Sequence, residues 1–368
     1  MIPEQHFIKT GQLQTLINIL LNDGYSCIGP VVKDGTILYQ EISSVDQLPR
    51  GYRDTQKPGH YSLASAQASS YFGFANGPQA LKPLLFSPKE GLWESKRTAN
   101  NEITFSAVAQ KINKRAVIGL RACDLAGLKL QDQHFLHQQY TDSAYQARRE
   151  NLLTIAVNCN KPAETCFCAS TGDGPFVEDG FDLALTELEN GFIIEAASHE
   201  GEKILQQLDT QRLSQAQKLE SEQLKNHSAV QQRKLPQLDI KTRLANELNN
   251  NAWHEIATQC LSCGNCTAVC PTCFCHSEHD EPVLDGTSTT HVRQWDSCFT
   301  QGHSYIHGII IRSETSQRYR QWLTHKFSSW HEQYGRSGCV GCGRCISWCP
   351  VGIDVIESIR KITDRRHD

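Results

Sequence analysis

Two short runs of cysteine constrain this chain more than any other feature of its 368 residues. Both runs read C-x2-C-x2-C-x3-C, and a proline follows the fourth cysteine of each. The first run consists of Cys260, Cys263, Cys266 and Cys270, and the second consists of Cys339, Cys342, Cys345 and Cys349. Two residues between thiolates let one tight turn present three sulfurs to a compact centre, whereas the fourth cysteine and its proline turn the chain away. Each run is therefore expected to supply three ligands to one centre and one ligand to another.

This spacing is the ligand pattern of a bacterial two-cluster ferredoxin, whose two [4Fe–4S] clusters share ligands crosswise. The pattern predicts a first cluster on Cys260, Cys263, Cys266 and Cys349, and a second cluster on Cys339, Cys342, Cys345 and Cys270. Zinc sites also use C-x2-C pairs, but zinc needs only four ligands in all. Two matching quartets, each ending in Cys-Pro, therefore favour iron–sulfur clusters over structural zinc or disulfides.

The overall charge and the apolar runs indicate which classes of protein do not fit. A formal net charge of -4 provides no basic field for binding nucleic acid. The N-terminal residues show no basic segment followed by a long apolar one, and apolar stretches such as residues 16–21 are too short to span a bilayer. We therefore expect a cytoplasmic protein without a membrane span, and the spacing of its 16 cysteines favours cluster ligation over disulfides.

The N-terminal part of the chain has the periodicity of an α/β fold. Continuous apolar runs at 116–120 and 152–157 are each followed by a polar turn, and residues 125–136 between them have helical spacing. This arrangement predicts a βαβ unit with a buried parallel sheet. Residues 12–22 predict a further helix, and the β-rich runs on either side of Asp34-Gly35 predict a hairpin.

Two other N-terminal segments carry weaker patterns. Residues 48–61 are rich in turn formers and cations, and we expect a surface loop there, with contact to a partner or an acidic group as the alternative. Residues 81–96 are expected to be extended, irregular chain.

Four cysteines outside the two runs predict a third metal site. Cys123 and Cys159 each follow the C-terminal end of a predicted strand, and parallel strands joined by a right-handed crossover end at the same edge of the sheet. Cys166 and Cys168 follow in a Thr-Cys-Phe-Cys element. The four thiols favour a third [4Fe–4S] cluster, and a group of incidental buried thiols is the alternative.

Other residues of the chemistry-bearing types have less definite roles. Cys27 is expected to be a small buried side chain. Cys273, Cys275 and Cys298 either pack around the second cluster or contribute to the third site, and the sequence leaves their role open. Residues 276–280 hold metal-ligand residue types, but a solvated loop is the preferred interpretation. Three arginines are interpreted either as helix-surface charges or as cations that compensate the clusters or dock a partner: Arg293, Arg318 and Arg320.

These patterns divide the chain into three parts. Residues 1–200 are predicted to form an α/β domain with a mixed or parallel sheet and the third iron–sulfur site. Residues 201–252, rich in Gln, Glu and Lys, are predicted to be a helical connector of one or two helices broken at Pro236. Residues 253–368 are predicted to be a ferredoxin-like domain for two [4Fe–4S] clusters, with a long insert between the cysteine runs.

The chain also resembles a known family over nearly its whole length. It is similar to the iron–sulfur β subunits of cytoplasmic sulfhydrogenases, which are NADP-linked [NiFe] hydrogenases, and to the corresponding iron–sulfur chain of anaerobic sulfite reductases. The resemblance is carried by residues 29–35, 48–54, 121–125, 158–162, 165–168, 260–275 and 318–327. The upstream cysteines and the Thr-Cys-Phe-Cys element are more selective for this family than the ferredoxin pattern is.

The resemblance implies an electron-transfer subunit without catalytic residues of its own. FAD and NAD(P) would be bound by a partner flavoprotein subunit, and catalysis would belong to hydrogenase small and large subunits or to a sulfite reductase subunit. The sequence itself agrees, because it shows neither a G-x-G-x-x-G element after a strand nor a P-loop.

Two other hypotheses remain open at this stage. One is a self-contained flavin or iron–sulfur redox enzyme, with an active site around Arg121 and the strand-end cysteines. The other is a zinc-stapled scaffold. The choice between a hydrogenase and a sulfite reductase complex, the cluster potentials and the direction of electron flow are not determined by the sequence.

Overall fold

The computed structural model describes residues 4–66, 69–109 and 112–364, and it contains both strands and helices throughout. The strands, in chain order, are β1 (Gln5–Lys9), β2 (Ser26–Lys33), β3 (Thr36–Glu41), β4 (Tyr52–Lys57), β5 (His60–Ser65), β6 (Lys89–Arg97), β7 (Ile103–Ala107), β8 (Arg115–Leu120), β9 (Leu152–Val157), β10 (Leu183–Leu188), β11 (Gly191–Ala196), β12 (Gln211–Arg212), β13 (His276–Pro282), β14 (Ser288–Trp295), β15 (Tyr305–Ile306) and β16 (Ile309–Ile310).

The helices are short and are concentrated in the second half of the chain. In chain order they are α1 (Gln12–Asn22), α2 (Lys82–Leu85), α3 (Ala122–Phe135), α4 (Ser143–Glu150), α5 (Cys168–Thr171), α6 (His199–Leu205), α7 (Gln215–Ala229), α8 (Ile240–Asn246), α9 (Ala252–Ala257), α10 (Asn265–Ala268), α11 (Thr315–Thr324), α12 (Trp330–Tyr334), α13 (Arg344–Ser347) and α14 (Val355–Thr363). A π-helical segment, His325–Ser329, joins α11 to α12.

An eight-stranded mixed sheet forms the core of the N-terminal half, in the order β12-β1-β11-β10-β9-β8-β2-β3. The pairs β2/β8, β8/β9 and β9/β10 are parallel, and the remaining pairs are antiparallel. The predicted βαβ unit is therefore confirmed as β8–α3–β9. The predicted helix α1 and the β2–β3 hairpin, which pairs Lys33 with Thr36 around Asp34-Gly35, are confirmed as well.

Two expectations for the N-terminal half are wrong. Residues 48–61 are not simply a loop, because they include β4 and the start of its antiparallel partner β5. This hairpin packs on the second cysteine run, where Gly59 N–H donates to Ile346 O (3.0 Å) and the Tyr61 ring stacks on Trp348. Residues 81–96 are not irregular, because they contain α2 and most of β6.

A second sheet, in the order β13-β14-β6-β7, joins distant parts of the chain. Strand β14 comes from the insert between the cysteine runs, and it pairs antiparallel with β6 along most of its length. Buried ion pairs reinforce this junction, since Arg293 contacts both Glu90 and Asp142. The insert thereby fastens the ferredoxin-like part to the N-terminal half.

The Gln-rich stretch contains three helices, α6, α7 and α8. Pro236 lies between α7 and α8, where a proline cannot interrupt a helical hydrogen-bond ladder. Leu213 lies just before α7 and Leu224 lies on it, and both pack against Phe7 and Ile193 of the large sheet. The proposed limits at 200 and 252 remain a prediction, but part of the predicted connector lies on the sheet.

Candidate iron–sulfur centres

The first cysteine set surrounds a cavity beside the first run. Four sulfur ligands predicted for one cluster line this cavity: Cys260, Cys263, Cys266 and Cys349. The cavity has a volume of about 460 Å³ including its open mouth, and its inner wall is apolar, with Phe299, Tyr319 and Trp322. Cys263 is exposed, whereas the other three are partly buried. The structure thus brings these four together at the surface, with the second run supplying one of them.

The second cysteine set lies deeper. Burial raises the pKa of Cys339, Cys342 and Cys345, and the negative charge of nearby Cys270 adds to the effect at each. Cys345 also borders the first cavity, so the two sets are neighbours. A buried thiol with a raised pKa does not ionise by itself at neutral pH, whereas binding to iron displaces its proton. The donor set therefore fits a thiolate-ligated cluster.

Backbone amides point at two sulfurs of these sets. Gly341 N–H donates to Cys339 Sγ (3.5 Å), and Ile353 N–H donates to Cys349 Sγ (3.3 Å). Hydrogen bonds to ligand sulfur stabilise negative charge and help to set the reduction potential of an iron–sulfur cluster.

The third predicted set meets at the C-terminal edge of the parallel strands. Cys123 lies in the first turn of α3, Cys159 follows β9, and Cys166 and Cys168 bracket the start of α5. All four are buried. Burial raises the pKa of Cys166, and the charges of its neighbours Cys168 and Cys159 raise it further. Burial also raises the pKa of Cys123, to which Cys168 contributes as well.

Two amide side chains contact the third set. Gln231 Nε2 lies 3.2 Å from Cys168 Sγ, and Asn76 Nδ2 lies 3.9 Å from Cys123 Sγ. Gln231 belongs to the segment between α7 and α8, which gives that segment a role beyond connection. The amides are donors that suit thiolate sulfur, and a set of incidental thiols would not need them.

The third set adjoins the second through the Thr-Cys-Phe-Cys element. Phe167 N–H donates to Gly341 O (2.8 Å), and the Thr165 hydroxyl lies 2.8 Å from that of Ser347. Cys166 Sγ lies 3.7 Å from the Cys342 carbonyl oxygen. The three sets thus follow one another from the surface to the edge of the large sheet.

A buried ion pair stands between the second and third sets. Arg344 Nη2 lies 2.7 Å from Asp124 Oδ1, and these side chains are 1% and 2% exposed. Burial raises the pKa of Cys123 and Cys342, and the Arg344 charge works against that rise in both. The guanidinium therefore favours negative charge on Cys342 of the second set and on Cys123 of the third.

A second buried cation, Lys326, was not anticipated from the sequence. Its Nζ lies 3.5 Å from Cys270 Sγ and 2.8 Å from the Thr272 hydroxyl, and it also reaches the Gly338 carbonyl. Lys326 follows α11, within the segment 318–327 that carries the family resemblance. Its contact with Cys270 depends on the π-helical turn, and sequence spacing does not reveal that turn.

The arginines singled out in the sequence have structural partners instead. Arg293 pairs with carboxylates in the second sheet, Arg318 donates to the carbonyls of Arg312, Phe299 and Ser313, and Arg320 donates to Leu248 O. The interpretation of Arg293 and Arg318 as helix-surface charges is wrong, because Arg293 lies on a strand and both are buried. Their carboxylate and carbonyl partners hold the fold together.

Arg121 is likewise fully engaged by the backbone. Its guanidinium donates to five carbonyl oxygens: those of Phe72, Phe74, Ala75, Val157 and Asn158. A guanidinium has five N–H groups, so Arg121 holds strand ends together and retains no donor for a substrate.

The geometry of these centres also indicates whether they could bind zinc instead of iron–sulfur clusters. Residues 276–280 belong to the exposed strand β13, where His279 pairs with Glu281. Across the described residues, no group of three His, Cys, Asp or Glu side chains is arranged to hold a single metal ion. Ligands of a cubane each bind a different iron and stand farther apart, so the cysteine sets fit clusters better than zinc.

Comparison with known proteins gives the same picture. Residues 259–353 match the family model described as a 4Fe-4S dicluster domain. The chain is also similar to sulfhydrogenase 2 subunit beta of Pyrococcus furiosus, with 27% identity over 346 residues, which is 91% of this chain and 92% of the relative. The predicted resemblance to sulfhydrogenase β subunits and the iron–sulfur character of the ferredoxin-like part are therefore confirmed. Within the described ranges, no helix is long and apolar enough to cross a membrane.

Proposed function

We propose that this chain is the electron-transfer subunit of a multi-subunit oxidoreductase and passes single electrons between partner subunits through [4Fe–4S] clusters. The observation that carries the proposal is the series of three adjoining cysteine sets between exposed Cys263 and buried Cys123. A bound [4Fe–4S] cluster supplies one-electron redox chemistry. The protein's part is to ligate the clusters, exclude water from them and balance their charge.

In this proposal the ligands are the three sets described above. The first set is Cys260, Cys263, Cys266 and Cys349; the second is Cys339, Cys342, Cys345 and Cys270; the third is Cys123, Cys159, Cys166 and Cys168. Arg344 and Lys326 place positive charge beside the second and third sets, which favours the more negative, reduced state.

The partners follow from the resemblance. We expect a flavoprotein subunit that binds FAD and NAD(P) on one side, and a catalytic subunit on the other, either a hydrogenase or a sulfite reductase. The 27% identity to a sulfhydrogenase subunit, which extends over 91% of this chain, supports the hydrogenase assignment.

The alternative, a self-contained redox enzyme in the N-terminal half, has less support. Arg121 was the candidate substrate-binding group at the strand ends, and all of its donors are used by backbone carbonyls. An electron-transfer subunit needs no such group.

The test is to purify the single chain anaerobically and to compare its redox behaviour with its turnover. We expect dithionite to reduce the protein and to produce EPR signals of [4Fe–4S] clusters, without oxidation of NAD(P)H, evolution of hydrogen or reduction of sulfite. Turnover of any of these by the single chain would contradict the proposal and support the self-contained enzyme.

The third set has its own test, the substitution Cys123→Ala. We expect it to lower iron and acid-labile sulfide by about four atoms each per chain, since a [4Fe–4S] cluster would lose a ligand. The control is Cys27→Ala, which removes a buried thiol that packs in the apolar core against Ile17 and away from the three sets. Iron content equal to that of the wild type in Cys123→Ala would remove the third cluster from the proposal.

A further inference from the structure

The insert between the two cysteine runs brings one more group of thiols together. Cys275 directly precedes β13, and Cys298 follows β14, so the β13–β14 hairpin returns the chain to its starting point. His276 pairs with Trp295 at the end of the hairpin opposite its turn, and Asp296 N–H donates to Cys275 O (3.0 Å). The hairpin thus sets Cys298 beside Cys275, although 22 residues separate them in the sequence.

Side chains complete this group, which we call the hairpin site: Cys273, Cys275, Cys298 and His303. The Cys275 side chain lies next to those of Cys298 and His303. Cys273 and Cys298 are buried, and each lies within electrostatic reach of a ferredoxin ligand: Cys273 of Cys270, and Cys298 of Cys266. The hairpin site therefore adjoins both the first and the second cysteine sets.

The imidazole of His303 is held in an orientation that suits a metal ligand. Its Nδ1 lies 3.6 Å from Asp296 Oδ2, and a carboxylate facing one ring nitrogen commonly orients a metal-ligating histidine. His325 is also near Cys275, but its Nε2 already accepts a hydrogen bond from Trp330 Nε1 (3.0 Å). His303 is thus the better placed of the two imidazoles.

A buried lysine indicates that the hairpin site carries negative charge. Lys82 is 7% exposed, donates to the carbonyls of Thr267 and Ala268, and stacks over the Trp295 ring at 3.9 Å. It has no carboxylate partner among the described residues. Burial lowers the pKa of Lys82, and the groups that most oppose this shift are Cys273 and Cys270. Burying an ammonium group is costly unless an opposite charge compensates it, and neutral thiols offer no such charge.

A repeated sequence element supports the same conclusion. Thr272-Cys273-Phe274-Cys275 repeats the Thr-Cys-Phe-Cys element of the third set. In both copies the threonine is fully buried and its hydroxyl contacts the second run or the residue just before it: Thr165 at Ser347, and Thr272 at Gly338 O (2.7 Å). The two copies are therefore anchored in similar ways, and each presents two cysteines to a buried centre.

We propose that Cys273, Cys275, Cys298 and His303 ligate a fourth [4Fe–4S] cluster, in addition to the three clusters of the proposed function. A single zinc ion does not fit, because no three ligand side chains in the described ranges converge on one point. Thiols and an imidazole are ligand types that an iron–sulfur cluster takes, and the adjacent Lys82 would offset the negative charge of such a cluster. The inference goes beyond the proposed function, since electron transfer through the other three sets does not require it.

The test compares Cys275→Ser and Cys298→Ser with the control Cys27→Ser, using anaerobically purified full-length protein. Each hairpin-site variant is expected to lose about four irons and four sulfides per chain relative to the control, and to keep the EPR signals of the other clusters. Iron content equal to that of the control in both variants would overturn the inference, as would one equivalent of zinc bound in the wild type and lost in both variants.

A second measurement decides the matter even if both serine variants fail to fold. Pulsed EPR of the reduced wild-type protein is expected to show nitrogen hyperfine coupling from a coordinated imidazole. His303→Cys should keep the iron content and abolish that coupling, and absence of the coupling in the wild type would overturn the assignment of His303. Iron loss in Cys123→Ala without loss in Cys298→Ser would refute the fourth cluster alone and leave the proposed function intact.

Discussion

At the scale of single residues, buried cations balance the charge of the cysteine sets. Lys326 contacts the second set, Arg344 stands between the second and third sets, and Lys82 lies beside the hairpin site. Lys82 and Lys326 have no carboxylate partner in the part of the chain that the structure describes, so the proposed clusters would be their counter-charges. Because the cations are buried, they act through a medium that screens charge less than water does.

Replacing Lys326 with methionine is expected to lower the reduction potential of the cluster on the second set, because the reduced state carries more negative charge. A unit charge about 6 Å away contributes roughly 2–3 kcal/mol at an effective dielectric constant of about 20. That energy corresponds to on the order of 100 mV for a one-electron couple. An EPR-monitored redox titration measures the shift. Lys33→Met, at an exposed strand end, is the control and should leave all potentials unchanged.

His134 gives the folded protein a defined response to acid. Burial, followed by the charge of His276, lowers the pKa of His134 from 6.5 to about 4. Its neutral ring stacks on Phe274 and hydrogen-bonds to the Tyr334 hydroxyl (2.8 Å). Between about pH 6.5 and pH 4 the unfolded chain binds a proton that the folded chain does not, so stability falls as the pH falls through this window.

The corresponding measurement is the urea midpoint under anaerobic conditions at pH 7 and pH 5. We expect the midpoint to decrease between these pH values, and to decrease less in His134→Phe, which keeps an aromatic ring against Phe274. An equal decrease in the variant would show that other groups are responsible.

At the scale of elements, the close contact between the second cysteine run and the third set leaves no space for a side chain. Gly341 has φ +64°, and a Cβ atom there would lie 2.5 Å from Cys168 N. No side chain fits at that position without moving the backbone of the Thr-Cys-Phe-Cys element. The contact therefore couples the geometry of the second set to that of the third.

Gly341→Ala is expected to destabilise the protein and to reduce the iron bound at the third set. The left-handed backbone alone contributes roughly 1–2 kcal/mol of strain, and the clash adds to it. Gly335→Ala is a matched control, since Gly335 has φ +75° and no atom within 4 Å of the added Cβ. Iron content and urea midpoints of both variants separate strain from clash, and equal effects in the two would contradict this account.

The elements also show how far sequence reasoning extends. Helix α1, the β2–β3 hairpin and the β8–α3–β9 unit were predictable, because local apolar periodicity and turn residues determine them. Strands β6 and β13 were not, because β13 is exposed along its length and β6 pairs with a strand that lies nearly two hundred positions later in the sequence. Spacing likewise indicated the first two cysteine sets, and topology the third, whereas the contacts of Lys82 and Lys326 arise only from the tertiary fold.

At the scale of the whole molecule, the N-terminal half and the ferredoxin-like part share a sheet as well as neighbouring cysteine sets. The β14–β6 pairing and the Arg293–Glu90 ion pair connect them, as does the contact of the β4–β5 hairpin with the second run. Loss of structure in one part should therefore reach the other.

Removal of the clusters with a chelator under oxidising conditions should disorder the ferredoxin-like part, since metal ligation contributes to its folding. Hydrogen exchange is expected to show loss of protection in β6 and β7 as well, because their partner β14 is released, whereas β8 and β9 stay protected in the large sheet. Cys263→Ala should produce a milder form of the same pattern, with one cluster lost. Unchanged protection of β6 in the cluster-free protein would contradict the coupling.

The shared sheet and the cavity lined by both cysteine runs also order events during synthesis of the protein. Strand β6 leaves the ribosome long before β14, and at roughly 5–20 residues per second the interval is roughly 10–40 s. During that time the edge of β6 that will pair with β14 is open to other strands. The first cysteine set is likewise incomplete until Cys349 has been added, so iron delivery has to follow translation of both runs. A cell that makes this protein must therefore protect an open sheet edge and a group of reduced thiols before it can supply the clusters that hold the molecule together.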